Sequence, residues 1–281
     1  MKSQLAQLSA VIRQTHGRDV AVYDETFLTK ALEKRVAATA GQDAAAYLGR
    51  LAHDRPEAEA FFDSLHIGYS ELFRDPLAFA LLEQRVLPSL IAAAEHAGRP
   101  EIRVWSAGCA AGQEAWSVAM LLDELLTARK GPVSFRVIAT DVAEAELAAA
   151  WRGVYDEAAV RNVRQRHLNA YFTREVESYI LAARLRDRVD FSLHNLLDAG
   201  TTCPPASIYG DFDLVLCSNL LLYYRPETQR LILDKLWRCL SSSGYLMTGE
   251  AERAMVQKAG GFRAVAPPAA VFQTTAGRKA P

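Results

Sequence analysis

The chemistry this chain could perform is written most openly in residues 104–120, VWSAGCAAGQEAWSVAM, where an apolar run ends in small residues and a helical pattern follows. Gly108 and Gly112 bracket Cys109, Ala110 and Ala111, so five successive residues carry almost no side chain. A bare segment between a strand and a helix lets a ligand approach the main chain, and the helix start offers free N–H groups and positive potential. The spacing is G-x-x-x-G, which departs from the dinucleotide fingerprint. Tight strand-to-helix packing explains the same glycines, and both readings stay open at this point.

A second feature lies in VIATD, which closes on Asp141. A carboxylate at the end of the neighbouring strand can accept both hydroxyls of a ribose, whereas an Asp before a helix can also be only an N-cap. Taken together, the two features imply a nucleoside ligand. Without a dinucleotide fingerprint, a sulfonium nucleoside such as S-adenosylmethionine fits better than NAD.

The elements that must position these residues follow from the hydrophobic periods. Residues 1 to about 95 read as helices: MKSQLAQLSAVIRQTHG, ETFLTKALEKRVAATAG with Gly41 as its stop, DAAAYLGRLAHD, EAEAFFDSLHIGYSELF, and a longer helix or helix pair from Pro76 to Gly98. After Pro100, strands alternate with helices: IRVWSAG, then 114–129, VSFRVIATD, 144–152, RVDFSLHNL, FDLVLCSNLLLYY, PETQRLILDKLWRCL and GYLMTGE, with FRAV and AVFQTT last. Such alternation means crossover connections and a mainly parallel sheet, and the continuously apolar VIAT and DLVLC suit strands covered on both faces. The expected domains are a helical domain over 1–75, a linking helix over 76–99 and an α/β domain over 100–281, with a small antiparallel β-subdomain at about 172–190.

The 281 residues carry 32 Lys and Arg against 33 Asp and Glu, so no global field draws nucleic acid or anionic lipid. No apolar stretch is expected to reach the ~20 residues of a membrane span. The four cysteines show no metal-like spacing and no two histidines stand at i, i+4, so reduced thiols, a cytoplasmic location and no metal site are expected. The terminal GRKAP is expected to be loose.

Several segments, in order from about residue 60 to 273, resemble the chemotaxis receptor methyltransferase (CheR) family. LFRDP (72–76) is similar to its F-F-R-[DE] element, and VWSAGCAAGQEAWSVAM to W-S-A-G-C-S-T-G-E-E-P-Y-S. ATDVAEAELAAAWRGVYDE, VDFSLHNLL and FDLVLCSNLLLYY resemble its A-[TS]-D-I, V-x-F-x-x-x-N-L and F-D-[VL]-I-F-C-R-N-V-[LM]-I-Y-F segments. The resemblance implies an N-terminal helical domain and a Rossmann-like class I methyltransferase domain with a small β-subdomain. It also implies methyl transfer from S-adenosylmethionine to glutamate side chains of a chemoreceptor-like coiled coil, leaving S-adenosylhomocysteine.

Carried over position by position, the resemblance implies cofactor contacts from Ser70, Arg74, Gly108, Gln113, Asp141, Asn195, Leu196, Ser218 and Asn219, with Arg74 and Tyr223 as catalytic residues. Ser70 stands where Thr is usual, Gln113 where the first Glu of G-E-E stands, and Gly68 where the family often has Asn and makes a contact. Ser218 replaces the Arg of C-R-N, and Glu250-Ala251 replaces the His-Ser of G-H-S-E. A carboxylate beside an anionic acceptor would repel it, so either the substrate differs or Glu250 points away.

Residues 1–75 hold 9 Lys or Arg against 11 Asp or Glu, and only Lys30, Lys34 and Arg35 cluster, so electrostatic docking on an acidic receptor is expected to be weak. A monomer is expected, without nucleic-acid binding or membrane insertion. A non-catalytic cofactor-binding regulator of the same fold and a methyltransferase with another acceptor are the competing readings.

Overall fold

The computed structural model describes residues 2–39, 43–207 and 209–275. Gly41 and the terminal GRKAP, both assigned from sequence, lie outside the described residues. The chain divides into two compact units, Met1–Ile67 with Leu221–Arg230, and Gly68–Leu220 with Leu231–Pro281.

The first unit is built from α1 (Lys2–His16), α2 (Glu25–Ala38), α3 (Ala44–His53) and α4 (Arg55–Asp63). Three of these helices start on an aspartate, because its side chain satisfies main-chain N–H groups that the first turn leaves free. Asp24 accepts from Thr26 and Phe27, Asp43 from Ala46, and Asp54 from Glu57. Leu8, Ile12, Leu28, Tyr47, Leu51 and Phe61 fill the core. Arg35 of the expected basic cluster is committed inward, because its guanidinium grips buried Glu57 at 2.7–3.0 Å and Tyr47 donates to the same carboxylate. That leaves Lys30 and Lys34 of the three.

The second unit opens with α5 (Pro76–Leu81), capped by Asp75 with Pro76 in the first turn. A π-helical turn (Leu82–Val86) leads into α6 (Leu87–His96), so the helix runs without interruption. The expectation that no apolar stretch reaches the length of a membrane span is corrected here. Pro76–His96 is 21 residues long and, by length and composition alone, apolar enough to cross a membrane. That apolarity is a core face, for Phe79, Leu82, Val86, Leu87, Leu90 and Ile91 are buried in this unit's hydrophobic core. Glu83, within the same helix, pairs with Arg164 and Arg166.

The strands and helices then alternate as β1 (Glu101–Ala107), α7 (Gln113–Arg129), β2 (Ser134–Asp141), α8 (Glu144–Arg152), β3 (Val154–Tyr155), α9 (Glu157–Val160) and α10 (Gln165–Tyr171). The chain continues through β4 (Phe172–Arg174), β5 (Tyr179–Leu181), β6 (Val189–Leu193), β7 (Phe212–Cys217), α11 (Pro226–Cys239), β8 (Leu240–Thr248), α12 (Arg253–Ala259), β9 (Phe262–Ala264) and β10 (Val271–Thr274). The seven-stranded sheet has the order β6-β2-β1-β7-β8-β10-β9. The pairs from β6 to β8 are parallel, and β10 is antiparallel to both neighbours. The small sheet is antiparallel in the order β3-β5-β4, so it starts at Val154, earlier than the sequence pattern shows. A two-residue strand is too short to display a period.

The chain leaves β1 toward β2 on one side and later returns to β7 on the other. In an open parallel sheet, the carboxyl ends of the strands on either side of such a reversal border a crevice.

Candidate functional site

Except for Ser70 and Arg74, every site residue predicted within this unit sits at the carboxyl end of a parallel strand. Gly108 and Gln113 follow β1, Asp141 ends β2, Asn195 and Leu196 follow β6, and Ser218 and Asn219 follow β7. Parallel strands all end on the same side, so the topology gathers residues that are as much as 111 positions apart, from Gly108 to Asn219.

The bare loop has a defined shape. Gly108, Ala110 and Gly112 have φ of 76°, 46° and 84°. A Cβ at Gly112 would lie 2.9 Å from Ala150 Cβ and 3.0 Å from Trp116 Nε1, and at Gly108 it would lie 2.5 Å from Leu220 Cδ1. Close packing therefore requires Gly112, whereas Gly108 lets Leu220 of the β7 loop approach. Thr140 O accepts the N–H groups of Gly108 and Cys109 at 2.8 and 3.0 Å, and Tyr155 donates to Ala111 O at 2.7 Å.

Asp141 braces the same loop. Its Oδ2 accepts Ala110 N–H at 2.9 Å and its Oδ1 accepts Ala143 N–H at 3.0 Å, so one lone pair on each oxygen is already used. Asn195 is exposed, and its Oδ1 accepts Leu197 N–H at 2.9 Å. Gln113 is buried with Oε1 unpartnered, and Ser218 Oγ is buried and likewise unpartnered. Buried polar atoms without a partner are uncommon, and Gln113 Oε1 at this crevice suits a polar ligand.

Arg74 lies exposed on the segment that precedes α5, and Ser70 is half-buried on it. Arg74 Nη1 donates to Tyr69 O at 3.1 Å, and the guanidinium lies over the Tyr69 ring, 5.5 Å from its centroid. Its neighbour Glu71 is held instead by Arg161 at 2.5 and 2.8 Å and by Asn162 at 2.9 Å. The segment is fixed to α7 by Ser117, which accepts Phe73 N–H at 2.9 Å.

Sequence reasoning missed Glu114. Burial pushes its carboxyl up to about 7, against the opposing pull of the Ser218 and Ser106 hydroxyls and of Arg74, while Glu252 adds to the rise. Ser106 donates to Glu114 Oε1 at 3.1 Å, whereas Ser218 is near enough to act on the carboxyl without a well-formed hydrogen bond. Glu114 falls on the second Glu of the G-E-E motif, but an acidic residue in a helix's first turn also reads as a complement to the helix dipole and was passed over as one. Cys109 is the neighbour common to the acids. Its thiol is pushed far up by burial and further by Asp141, Glu114 and Glu146, so three carboxyl groups act on the bare loop.

Tyr223 is the one predicted residue that belongs to the helical unit. Its ring packs on Phe27 with centroids 4.8 Å apart, and its carbonyl accepts Asp24 N–H at 2.8 Å. Glu250 is exposed, whereas Glu252 is fully buried.

Residues 69–270 match the family model described as CheR methyltransferase, SAM binding domain. Chemotaxis protein methyltransferase 1 of Pseudomonas aeruginosa is 35% identical over 69% of this chain and 69% of its own length. The Escherichia coli chemotaxis protein methyltransferase is 30% identical over 88% of this chain and 82% of its own. An uncharacterized 104.1 kDa protein of Rhodobacter capsulatus is 34% identical over 84% of this chain, which spans only 24% of that protein.

Proposed function

Because this chain belongs to the CheR methyltransferase family, with S-adenosylmethionine as its cofactor, we propose that it methylates glutamate side chains of a chemoreceptor-like protein, giving glutamate methyl esters. The observation that carries this reading is the crevice at the carboxyl ends of β1, β2, β6 and β7, with Gln113 Oε1 buried and unpartnered beside it. That atom, the bare loop and the acids that act on it fit a cationic nucleoside with polar ends. In this reading the protein works in the cytoplasm.

In the proposed arrangement Asp141 accepts ribose hydroxyls through its remaining lone pairs, and Asn195 with Leu196 borders the adenine. Gln113 offers its amide oxygen to the ligand's ammonium. When bound, S-adenosylmethionine supplies a methyl carbon on a cationic sulfur. An exposed acceptor glutamate, with a pKa of about 4.3, is already an anion near neutral pH, so no base has to remove a proton. What remains for the protein is orientation and partial desolvation of that carboxylate.

Arg74 is the cation available to steer the acceptor or to hold the cofactor carboxylate through paired N–H bonds. Glu114 complements it. A carboxyl held up to about 7 is largely protonated below that pH, so it offers an O–H donor and does not repel an incoming anion. Glu250, by contrast, is exposed. With only Lys30 and Lys34 left of the expected basic cluster, acceptor choice rests on shape more than on charge.

The test is incubation with methyl-labelled S-adenosylmethionine and the source organism's receptors, followed by mild alkali. Volatile labelled methanol is expected, because carboxyl methyl esters hydrolyse in base. Alkali-stable label would point to a different acceptor group. Cofactor binding with no transfer to any receptor would favour the regulator reading.

A further inference from the structure

Gly68 stands where the CheR family often has an Asn that makes a contact, so this position should cost the cofactor site a polar group. The space that side chain would fill is occupied. A Cβ built at Gly68 would collide with Glu146 Oε1 and would lie 2.7 Å from Glu146 Cδ and 3.2 Å from Oε2. The Glu146 carboxylate has taken the place of a side chain at 68, reaching it from the first turn of α8.

The same carboxylate also acts on the bare loop of the crevice. Glu146 lies five positions beyond Asp141, across the turn that joins β2 to α8. Both acids act on the Cys109 thiol in the bare loop. Glu146 has no ion-pair or hydrogen-bond partner among the described residues, and burial and Asp141 raise its pKa with no cation opposing them. Asp141, meanwhile, already spends one lone pair of each oxygen on Ala110 and Ala143.

We propose that Glu146 is a cofactor-binding residue of this chain, sharing the ribose hydroxyls with Asp141 and supplying the polar contact that Gly68 cannot make. An ionised carboxylate is acceptor-only, which matches a pair of hydroxyl donors. The proposal rests on the reading that the crevice takes S-adenosylmethionine.

Calorimetric titration with S-adenosylhomocysteine tests it on four variants whose thermal unfolding has first been compared with the parent. Glu146→Ala is expected to weaken binding at least fivefold. Gly68→Asn alone should also weaken it, because the new side chain and the carboxylate compete for one space. Gly68→Asn combined with Glu146→Ala should recover affinity to within about twofold of the parent. Asp141→Ala is the control. If it weakens binding while Glu146→Ala does not, the role of Glu146 is overturned and the crevice reading stands. If neither substitution changes affinity, both are overturned.

Discussion

Glu252 holds Asn219 by its main chain. Oε2 of the fully buried Glu252 accepts the N–H of Asn219 at 2.8 Å and that of Gly249 at 2.8 Å, tying the carboxyl end of β7 to that of β8. Asn219 has φ of 58°, a left-handed conformation that a non-glycine residue keeps only when its surroundings impose it. The side chain packs against Gly249, where a Cβ would lie 3.0 Å from Asn219 Oδ1. One carboxylate therefore sets the geometry of the β7 loop that carries Ser218 and Asn219.

Replacing Glu252 by Ala strips one buried and one part-buried N–H group of their acceptor, at about 1–3 kcal/mol for each unsatisfied group. We expect urea denaturation to show a loss of about 2–5 kcal/mol. Cofactor affinity should fall at least fivefold under conditions where the variant remains folded. Unchanged stability would mean that the β7 loop keeps its form without the carboxylate.

The raised pKa of Glu114 makes a signed prediction about pH. The folded protein binds a proton here up to about 7, whereas the unfolded chain releases it near the ordinary glutamate value of 4.5. Between those values the native state binds more protons, so this group's contribution is greatest below about 4.5 and is lost as pH rises through about 7. Glu114→Gln, which cannot ionise, removes that loss. Relative to the parent, the variant should gain about 2–3 kcal/mol between acid and neutral pH. Parallel stability-versus-pH curves for the two proteins would refute the assignment.

Arg74 carries a separate expectation. Arg74→Ala removes the exposed cation that acts on Glu114, and should lower kcat/KM at least tenfold by weakening cofactor binding, transfer or both. It should also move the Glu114 titration to higher pH, which carboxyl-resolved NMR can read. Arg74→Lys keeps the charge but loses the paired geometry, so it should restore the titration more fully than the rate. A variant at full rate would remove Arg74 from the site.

Much of this architecture is legible in the chain itself. VIAT and DLVLC are apolar on both faces, and the helices between them carry one apolar stripe, so alternation and parallel pairing follow from burial alone. Gly108 and Asp141 can be chosen because a strand end and a bare turn are local features. Glu114 and Glu146 cannot. The environment of Glu114 includes Ser218, 104 residues later, and that of Glu146 includes Gly68, 78 residues earlier, so neither shows in a local window. Arg35 read as part of a solvent-facing cluster for the same reason, since its partner Glu57 lies on another helix. Leu221–Arg230 directly follows the β7 loop in sequence yet belongs to the helical unit, a division that long-range contacts alone decide.

The most direct measurement is a crystal structure of the protein grown with S-adenosylhomocysteine. The account predicts its ribose hydroxyls on Asp141, its adenine beside Asn195 and Leu196, and its amino-acid end toward Gln113 and the bare loop at Gly108. Clear density for the nucleoside anywhere else, or a crevice closed by packed side chains with none bound, would contradict it.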